Sequence, residues 1–388
     1  MADFYIFNNG LMTKNTMSGS DQRALNWSMQ FAKSGHRINI FTSVAGLGRF
    51  RPLGFNVYIT GSFFLKSRLG LFLTYLSRAL KSCLIQRGIK FHGPAIIYSS
   101  SDLLVDVIPA IFMKLRNPGF TFVCGMHLLA PNPFKGFRKM YSTGFKIPSL
   151  SNLYYFLSQR LISFALKRQG ALVLVSNYND RDFLAKKGFG ADRILVTYGA
   201  CEVYFDEKII SEPKSYDAIY IGRFHEQKGF PDLLKAWRQV KEALGNAKLA
   251  VLGEDIAMED IKSFIEKNGL KEYIDFIGFV GGIIKFDYIK SAKVCIFPSF
   301  YESFGMVILE AMSCGVPVVA YDLPVYRRIY TRGLALAPVG DIRKMADIVI
   351  DLLKNDAKRE ALAEEALAMS RHFSWDKTAD DILNKLGL

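Results

Sequence analysis

Residues 297–320, FPSFYESFGMVILEAMSCGVPVVA, predict a strand, a turn, a helix and a second strand in succession. An apolar strand ends at Phe297, and a polar turn leads into an apolar helix over residues 305–313. Gly315 suits the left-handed backbone that closes a helix, and the apolar run after it predicts the next strand. Strand, helix and strand in this order are the repeating unit of an α/β fold.

This segment contains two carboxylates, Glu302 in the turn and Glu310 in the helix. The helix is apolar apart from Glu310, so we expect it to be buried with one charge inside. A buried carboxylate must be neutralised, paired or placed where a ligand supplies hydrogen-bond donors. Glu302 precedes free N–H groups from about Phe304, Gly305 and Met306, which form an anion site. The alternative is that Glu302 only caps the helix and Glu310 only pairs with a cation of the fold.

Length and composition favour a globular chain of two domains. The 388 residues are enough for two cores, and half of them are hydrophobic. No uncharged apolar run reaches the roughly 18 residues of a membrane-spanning helix, and the first residues do not form a signal sequence, so we expect a cytoplasmic protein. The five cysteines and five histidines show no ligand spacing, which predicts reduced core thiols and no metal site.

The positive charge is concentrated in the first half of the chain. Residues 1–200 hold 25 Lys and Arg against 7 Asp, a balance of +18, whereas residues 201–388 hold 25 against 29 acidic residues, a balance of −4. The first half is therefore expected to face an anionic partner. Nucleic acid, an anionic membrane and a phosphorylated acceptor are the candidates.

Two basic segments of the first half alternate apolar and cationic positions at near-helical spacing, residues 63–90 and residues 135–168. Such segments suit an anionic membrane surface. Each one alone fits a core helix with a solvated basic face equally well. Because two occur together with hardly any acid nearby, the sequence favours peripheral association with the inner face of the cell membrane.

The chain opens with a βαβ pattern. A strand is predicted over residues 3–7, a polar loop with glycines over residues 8–19, and a helix over residues 22–33 that Ser20 or Asp21 can cap. The loop glycines do not give the G-x-G-x-x-G spacing, so we expect no nicotinamide cofactor.

Polar residues follow several predicted strands, at the strand ends where open α/β sheets bind ligands. In the first half these are Asp102, Asp106 and His127, although a lone loop histidine is more often without function. In the second half Arg223 and Lys228 lie between a strand and a helix, where two cations suit phosphate. An isolated Lys or Arg is also common on any solvated surface. Two such α/β alternations predict two Rossmann-like domains facing a cleft.

These residues match the motifs of a known family. The motifs are Gly222-Arg223-x4-Lys228-Gly229, then Pro298-Ser299-x2-Glu302-x-Phe304-Gly305, and then Glu310-Ala311-Met312-x2-Gly315-x-Pro317-Val318. Together with Val175-Ser176-Asn177-Tyr178 and Phe373-Ser374-Trp375-Asp376, they extend over nearly the whole chain. The combination resembles the retaining glycosyltransferases of family 4, also called glycosyl transferases group 1, in which Glu302-x7-Glu310 is the characteristic pair.

The resemblance implies the GT-B fold. Residues 1–200 would form an N-terminal acceptor-binding Rossmann-like domain and residues 201–371 a nucleotide-sugar-binding one. Residues 372–388 would form a C-terminal helix that packs back on the first domain.

The resemblance also implies roles for individual residues. Arg223 and Lys228 would neutralise the donor diphosphate, Glu302 would hold hydroxyls of the transferred sugar, and Glu310 would accept from the ribose hydroxyls. His127 corresponds to the family's first-domain histidine near the donor sugar. Backbone N–H groups of Phe304, Gly305, Met306 and Val307 would bind the phosphates or the sugar. Phe279, in an aromatic loop, would lie against the base.

The sequence departs from the family in two places. The double-glycine loop reads Ser18-Gly19-Ser20, so that Gly19 alone carries the close approach to the donor. The hinge, which ends in Asn-Gly-Val-Asp in the family, reads Tyr198-Gly199-Ala200-Cys201-Glu202. Hinge contacts to the donor are therefore not carried over.

The sequence thus predicts a retaining hexosyltransferase that uses a UDP- or GDP-sugar as substrate and needs no metal or other cofactor. Its acceptor would be lipid-linked or a saccharide, and Asp102 and Asp106 are the candidate acceptor-binding residues. The protein would act at an anionic membrane surface. Alternatives of the same fold are an epimerase, a hydrolase and a phosphorylase. A nucleic-acid binder is supported by charge alone, because no docking motif or stacking signature accompanies it, and we expect no nucleic-acid partner.

Overall fold

The computed structural model describes residues 1–10, 17–62, 68–91, 93–135, 147–201, 214–253 and 258–388. The chain divides into two compact units. The first comprises residues 1–133, 147–199 and 375–388, and the second comprises residues 134–146 and 200–374. Parts of the two basic segments, residues 63–67 and 136–146, and the hinge residue Glu202 lie outside the described residues.

The first unit is built on a seven-stranded parallel sheet. Its strands are β1 (Asp3–Asn8), β2 (Arg37–Ser43), β3 (Asn56–Gly61), β4 (Ala95–Ser99), β5 (Thr121–Gly125), β6 (Leu172–Val175) and β7 (Ile194–Val196). Their spatial order is β3-β2-β1-β4-β5-β6-β7. The inner strands are continuous apolar runs because helices cover both faces of a parallel sheet.

The helices of this unit follow the strands in alternation. They are α1 (Gly19–Lys33), α2 (Val44–Phe50), α3 (Arg68–Gln86), α4 (Leu104–Arg116), α5 (Leu150–Arg168) and α6 (Tyr178–Lys186). Side chains of α4 and α5 share one buried cluster with β1, β4, β5 and β6. Within the described residues no helix combines the length and apolar character needed to cross a membrane.

The start of α1 differs from the prediction. The helix begins at Gly19 and is capped by Ser18, not by Ser20 or Asp21. The Ser18 hydroxyl accepts from the Asp21 amide at 3.2 Å, and the Asp21 carboxylate accepts from the Ser18 amide at 2.8 Å. This reciprocal capping box satisfies two donors at once, so it is favoured over a cap further along the chain.

The second unit has a six-stranded parallel sheet. Its strands are β8 (Tyr216–Ile221), β9 (Leu249–Leu252), β10 (Ile274–Gly278), β11 (Ala292–Phe297), β12 (Val318–Tyr321) and β13 (Leu334–Ala337). Their order is β10-β9-β8-β11-β12-β13, which reverses between β8 and β11. Open α/β sheets bind ligands at such a reversal, beyond the carboxyl ends of the strands.

Seven helices accompany this sheet in the described part of the second unit. They are α7 (Phe230–Leu244), α8 (Met258–Lys267), α9 (Ile283–Lys290), α10 (Met306–Ser313), α11 (Pro324–Ile329), α12 (Ile342–Lys354) and α13 (Asp356–Ser370). The last helix, α14 (Trp375–Leu386), lies in the first unit, where Trp27 of α1 donates to Thr378 at 2.9 Å. The prediction of two Rossmann-like α/β domains is confirmed.

Candidate functional site

The loops after β8 and β11 meet where the strand order of the second sheet reverses. Gly229 ends the first loop with a φ of +66°, and a Cβ atom there would lie 1.8 Å from the carbonyl oxygen of Pro298. The amide of Phe300 donates to the carbonyl of Gln227 at 2.8 Å. Because no side chain fits at position 229, the backbone contact fixes the first loop against the turn of residues 299–305.

Lys228 and Glu302 form an ion pair at this junction. Lys228 Nζ lies 2.5 Å from Glu302 Oε1, and the two side chains are 19% and 10% exposed. Ser299 Oγ lies 2.7 Å from the same carboxylate oxygen, and the ammonium lies 5.4 Å from the centre of the Phe297 ring. Gly305 is the N-cap of helix α10, and the bonds that the Glu302 carboxylate makes with Lys228 and Ser299 give it a role besides any capping of that helix.

Arg223 precedes this pair in the same loop. Its carbonyl accepts from the Tyr220 hydroxyl at 2.9 Å and from the His225 amide at 2.8 Å, so the backbone is fixed. Its side chain is exposed, and among the described residues it is in no ion pair. The guanidinium is therefore available to an anion at the end of β8.

The start of α10 presents backbone donors beside the ion pair. Gly305 has a φ of +81°, and its carbonyl accepts from the amides of Ile308 and Leu309 at 2.9 and 3.3 Å. The amides of Met306 and Val307 come before this first bonded turn and have no acceptor within the helix. Together with the helix dipole they favour an anion at this position.

Glu310 lies on the same helix and is paired. Its Oε1 is 2.5 Å from Lys285 Nζ of α9, with the side chains 6% and 15% exposed. The expectation that α10 is buried with one charge inside is therefore correct. The sequence did not identify Lys285 as the partner, because the contact depends on how α9 packs beside α10. The pair leaves a carboxylate whose charge is balanced before any ligand arrives.

The aromatic residues near the site divide into an exposed and a buried set. Phe276 and Phe279, at the end of β10, are exposed and offer a flat apolar surface. The Phe304 ring is buried and lies 5.7 Å from the Tyr330 ring and 5.5 Å from the Phe373 ring, between centroids. Phe304 can therefore serve a ligand only through its backbone.

His127 of the first unit is buried beyond β5. Ser176 Oγ lies 3.3 Å from His127 Nδ1, while His127 Nε2 is enclosed with no hydrogen-bond partner among the described residues. The Arg23 guanidinium donates to Ser176 Oγ at 3.2 Å and to the carbonyl of Gly19 at 3.3 Å. Burial, and then the Arg23 cation, lower the pKa of His127 well below its ordinary value, so the imidazole is neutral. The sequence did not single out Arg23, which sits one turn inside α1.

The two predicted acceptor-binding carboxylates are engaged inside the first unit. Asp102 is buried and accepts from Gln159 at 2.5 Å. Asp106 is buried and accepts from the Asn9 amide and the Ser101 hydroxyl, both at 2.6 Å. Burial raises the pKa of Asp102 to about 6 and that of Asp106 to about 7. Both carboxylates thus hold loops of the sheet, and their part in acceptor binding stays a prediction.

The comparisons with solved structures agree with this architecture over the whole chain. A sucrose-phosphate synthase from Thermosynechococcus elongatus superposes with a TM-score of 0.77 at 16% identity, covering 100% of this chain and 98% of that one. Anabaena Alr3699/HepE, solved in complex with UDP and glucose, gives 0.74 at 16% identity and full coverage of both chains. At these identities the likeness concerns the fold, which is that of the GT-B glycosyltransferases.

The similarity to a known family lies in the second unit. Residues 205–369 match the family described as Glycosyl transferases group 1. A phosphatidyl-myo-inositol mannosyltransferase of Mycobacterium leprae is 36% identical over 42% of this chain and 44% of its own length. O-antigen chain mannosyltransferase B of Escherichia coli is 26% identical over 55% of this chain and 59% of its own length. Residues 205–369 are thus similar to the glycosyl transferases group 1, and the chain spans about half the length of the curated relatives it matches.

The recognised family and the site geometry concern the same part of the chain. Lys228 and Glu302 are brought together at the reversal point. The helix that follows Glu302 in the chain begins at Met306 and carries Glu310. The roles assigned to these residues stay predictions. Among the described residues no group of three or more His, Cys, Asp or Glu side chains is placed to hold a metal ion.

Proposed function

We propose that the protein is a retaining glycosyltransferase that moves a hexose from a UDP- or GDP-sugar to a lipid-linked or saccharide acceptor at the cytoplasmic surface of a membrane. The observation that carries the proposal is the Lys228–Glu302 pair beside the free amides of α10. A nucleotide-sugar presents in one molecule the two groups that this arrangement suits. Its diphosphate suits cations and amides, and its hydroxyls suit carboxylates.

Donor binding exchanges partners within the ion pair. The diphosphate replaces Glu302 as the partner of Lys228 and recruits the open guanidinium of Arg223. The released Glu302 carboxylate then accepts hydrogen bonds from hydroxyls of the transferred sugar. Glu310 accepts from the ribose hydroxyls, and Phe279 lies against the base. In the unliganded state the pair keeps both charges compensated and in place.

The same cations support the departure of the nucleotide. As the bond from the anomeric carbon to the phosphate oxygen breaks, negative charge grows on the diphosphate, where Lys228, Arg223 and the amides of Met306 and Val307 stabilise it. The acceptor hydroxyl forms the new bond on the face that the nucleotide leaves, and its proton passes to the departing phosphate oxygen. Configuration is retained. No step of this proposal requires a metal.

The first unit contributes a neutral imidazole. We assign His127 to a hydroxyl of the transferred sugar, through its unpartnered Nε2. The lowered pKa keeps the ring uncharged at physiological pH, so that it acts as a hydrogen-bonding group and not as a cation. Gly19, where a Cβ atom would lie 3.2 Å from Arg23 Nη1, stays a predicted donor-binding residue.

The choice of hexose follows from the relatives. Two of the matched proteins are named as mannosyltransferases, and one matched structure contains UDP and glucose. GDP-mannose and UDP-glucose are therefore the first donors to test.

Nucleotide release from a panel of UDP- and GDP-sugars, with and without extracted lipids, tests the proposal. We expect one donor to release nucleotide in an acceptor-dependent way, with a product whose anomeric configuration by NMR matches the donor. An inverted product would contradict the retaining mechanism. If no donor of the panel releases nucleotide, the proposal that the protein is a transferase is contradicted.

The alternatives of the same fold give different products. A hydrolase releases free sugar without any acceptor, an epimerase returns an altered nucleotide-sugar, and a phosphorylase needs inorganic phosphate. Product analysis in the acceptor-free arm separates all three from a transferase.

A further inference from the structure

Helix α5 exposes a continuous apolar stripe. Leu150, Tyr154, Leu157, Leu161 and Phe164 recur at the three- and four-residue steps that place side chains on one side of a helix, and they are between 49% and 79% exposed. The opposite side of α5 contributes buried residues to the core. The helix is thus apolar on its inner side, as the fold requires, and also on its outer side, which the fold does not explain.

Helix α3 shows the same feature. Its stripe consists of Phe72, Leu73, Leu76, Leu80 and Leu84, between 43% and 61% exposed. Arg78, one of the cations of the basic segment 63–90, is buried and donates to the carbonyls of Asn9 and Gly10. Its charge therefore serves the loop after β1 and does not contribute to a basic surface.

The two stripes lie on one side of the first unit. Helix α3 packs along α4, and α4 contacts α5. Side chains of α4 and α5, with Ile85 and Ile89 at the end of α3, pack on the same buried cluster, which covers one face of the sheet. Helices α1 and α14 line the opposite face with Trp27, Phe31, Ile382 and Leu386. The outer sides of α3, α4 and α5 therefore form one surface, which we call the outer helix face.

Charge on the outer helix face has one sign. Lys81 and Arg87 lie beside the α3 stripe, and Arg160, Lys167 and Arg168 lie beside the α5 stripe, all exposed. Between residues 22 and 179 the sequence contains two acidic residues, Asp102 and Asp106, and both are buried. Helices α3, α4 and α5 therefore contribute no exposed carboxylate that could offset these cations.

Cations and apolar groups are interleaved at short range. The Arg160 guanidinium lies 4.4 Å from the centre of the Phe156 ring, and that of Arg168 lies 5.0 Å from the Phe164 ring. Long basic side chains that run along apolar surface place their charge at the edge of that surface, which is the arrangement found where helices lie in a bilayer interface.

We propose that the outer helix face binds directly to an anionic lipid bilayer, with α3 and α5 lying along the headgroup region. Aliphatic side chains enter the apolar boundary, and the cations meet anionic headgroups. A second copy of the chain fits less well, because two uniformly basic faces repel each other. The proposal rests on the proposed function for its purpose, since a lipid-linked acceptor is met at such a surface, but the binding itself needs no donor.

Vesicle binding by the full-length protein tests the proposal. Sedimentation compares vesicles containing about 30% phosphatidylglycerol with pure phosphatidylcholine at about 0.1 M salt, and we expect at least about tenfold tighter binding to the anionic vesicles. The charge variant Arg160→Gln/Lys167→Gln/Arg168→Gln and the apolar variant Leu157→Ser/Leu161→Ser are each expected to weaken binding by about tenfold or more.

A matched control removes the same charge elsewhere. The variant Arg343→Gln/Lys344→Gln/Lys354→Gln changes three exposed cations of α12 in the second unit and is expected to bind within about twofold of the parent protein. Circular dichroism and thermal unfolding confirm that each variant is folded. Binding of UDP or GDP in lipid-free solution, measured by isothermal titration calorimetry, should be unchanged in the α5 variants, so a failure of vesicle binding and a failure of donor binding are seen separately.

Three results would overturn the proposal. They are equal binding to neutral and anionic vesicles, equal losses in the α5 and α12 charge variants, and full binding by Leu157→Ser/Leu161→Ser. A concentration-dependent dimer that the apolar variant abolishes, without vesicle binding by the parent protein, would show instead that a second copy covers the face.

Discussion

Replacing the members of the Glu310–Lys285 pair one at a time distinguishes a donor-binding carboxylate from one that serves the fold alone. Glu310→Gln removes the charge at nearly constant size, and Lys285→Met removes the ammonium while keeping most of the apolar stem. The two atoms lie 2.5 Å apart, and the side chains are 6% and 15% exposed.

The magnitude follows from this burial. Removing one partner of a fully buried pair costs about 3 to 5 kcal/mol, because the other charge stays unpaired. Lys285 keeps some exposure and can carry its ammonium toward water, so Glu310→Gln should lower the stability of the second unit by about 2 kcal/mol. Lys285→Met leaves the more buried carboxylate unpaired and should cost about 3 kcal/mol.

The loss of donor affinity is expected to rank the two variants in the opposite order to the loss of stability. A hydrogen bond from a ribose hydroxyl to a carboxylate contributes about 1.5 to 3 kcal/mol, so Glu310→Gln should weaken UDP or GDP binding by about tenfold or more. Lys285→Met retains the carboxylate and should bind within about threefold of the parent protein.

Two measurements on the same samples decide between these roles. Hydrogen exchange of peptides from the second unit reports its stability, and isothermal titration calorimetry with UDP and GDP, well below the unfolding temperature, reports affinity. The donor role is refuted if Glu310→Gln lowers stability and leaves nucleotide affinity intact. It is refuted as well if both variants lose affinity in proportion to their stability.

Further expectations concern the backbone and the buried acids. Gly229→Ala combines positive-φ strain with a contact of 1.8 Å to Pro298, whereas Gly269, in the turn that closes α8, has a φ of +59° and nothing within 4 Å. Thermal unfolding should show Gly269→Ala costing about 1 kcal/mol and Gly229→Ala at least about 3 kcal/mol, and equal shifts would contradict the close approach of the two loops. Because the raised pKa of Asp106, about 7, leaves the folded state holding the extra proton, stability of the first unit should be greatest below the unfolded pKa and fall as pH rises toward 7. Urea titrations between pH 5 and 8 should show this fall. Asp106→Asn should remove the part between about pH 6 and 7, whereas the part below pH 6 should remain because the pKa of Asp102 is also raised, to about 6. A profile unchanged in the variant would assign the titration elsewhere.

The place of the site was predictable from sequence, because it depends on strand ends. Arg223, Lys228 and Glu302 each follow a recognisable apolar strand, and parallel strands bring their carboxyl ends to one edge of the sheet. The Lys228–Glu302 contact follows from two strands being neighbours at the reversal point. The chemistry of each residue, a cation or a carboxylate, is read directly from the sequence.

The remaining features depend on side-chain direction and on contacts between helices. Asp102 and Asp106 follow β4 as predicted, but their side chains turn inward, which position along the chain does not reveal. Lys285 meets Glu310 only because α9 packs beside α10. Arg78 has the spacing of a surface cation and is buried, since the loop after β1 supplies carbonyl acceptors. Each outcome is decided by tertiary packing, which cannot be predicted from the periodicity of the sequence.

The central claim, that the junction of the β8 and β11 loops is a nucleotide-sugar site, is tested most directly by nucleotide release in two lysine variants. Lys228→Met removes the cation of the site, and Lys293→Met removes the cation of another ion pair of the same unit, 2.8 Å from Asp217. We expect Lys228→Met to lower kcat/KM by about a hundredfold or more, and Lys293→Met to change it by less than about twofold. Equal activity of the two variants, with both folded, would contradict the claim.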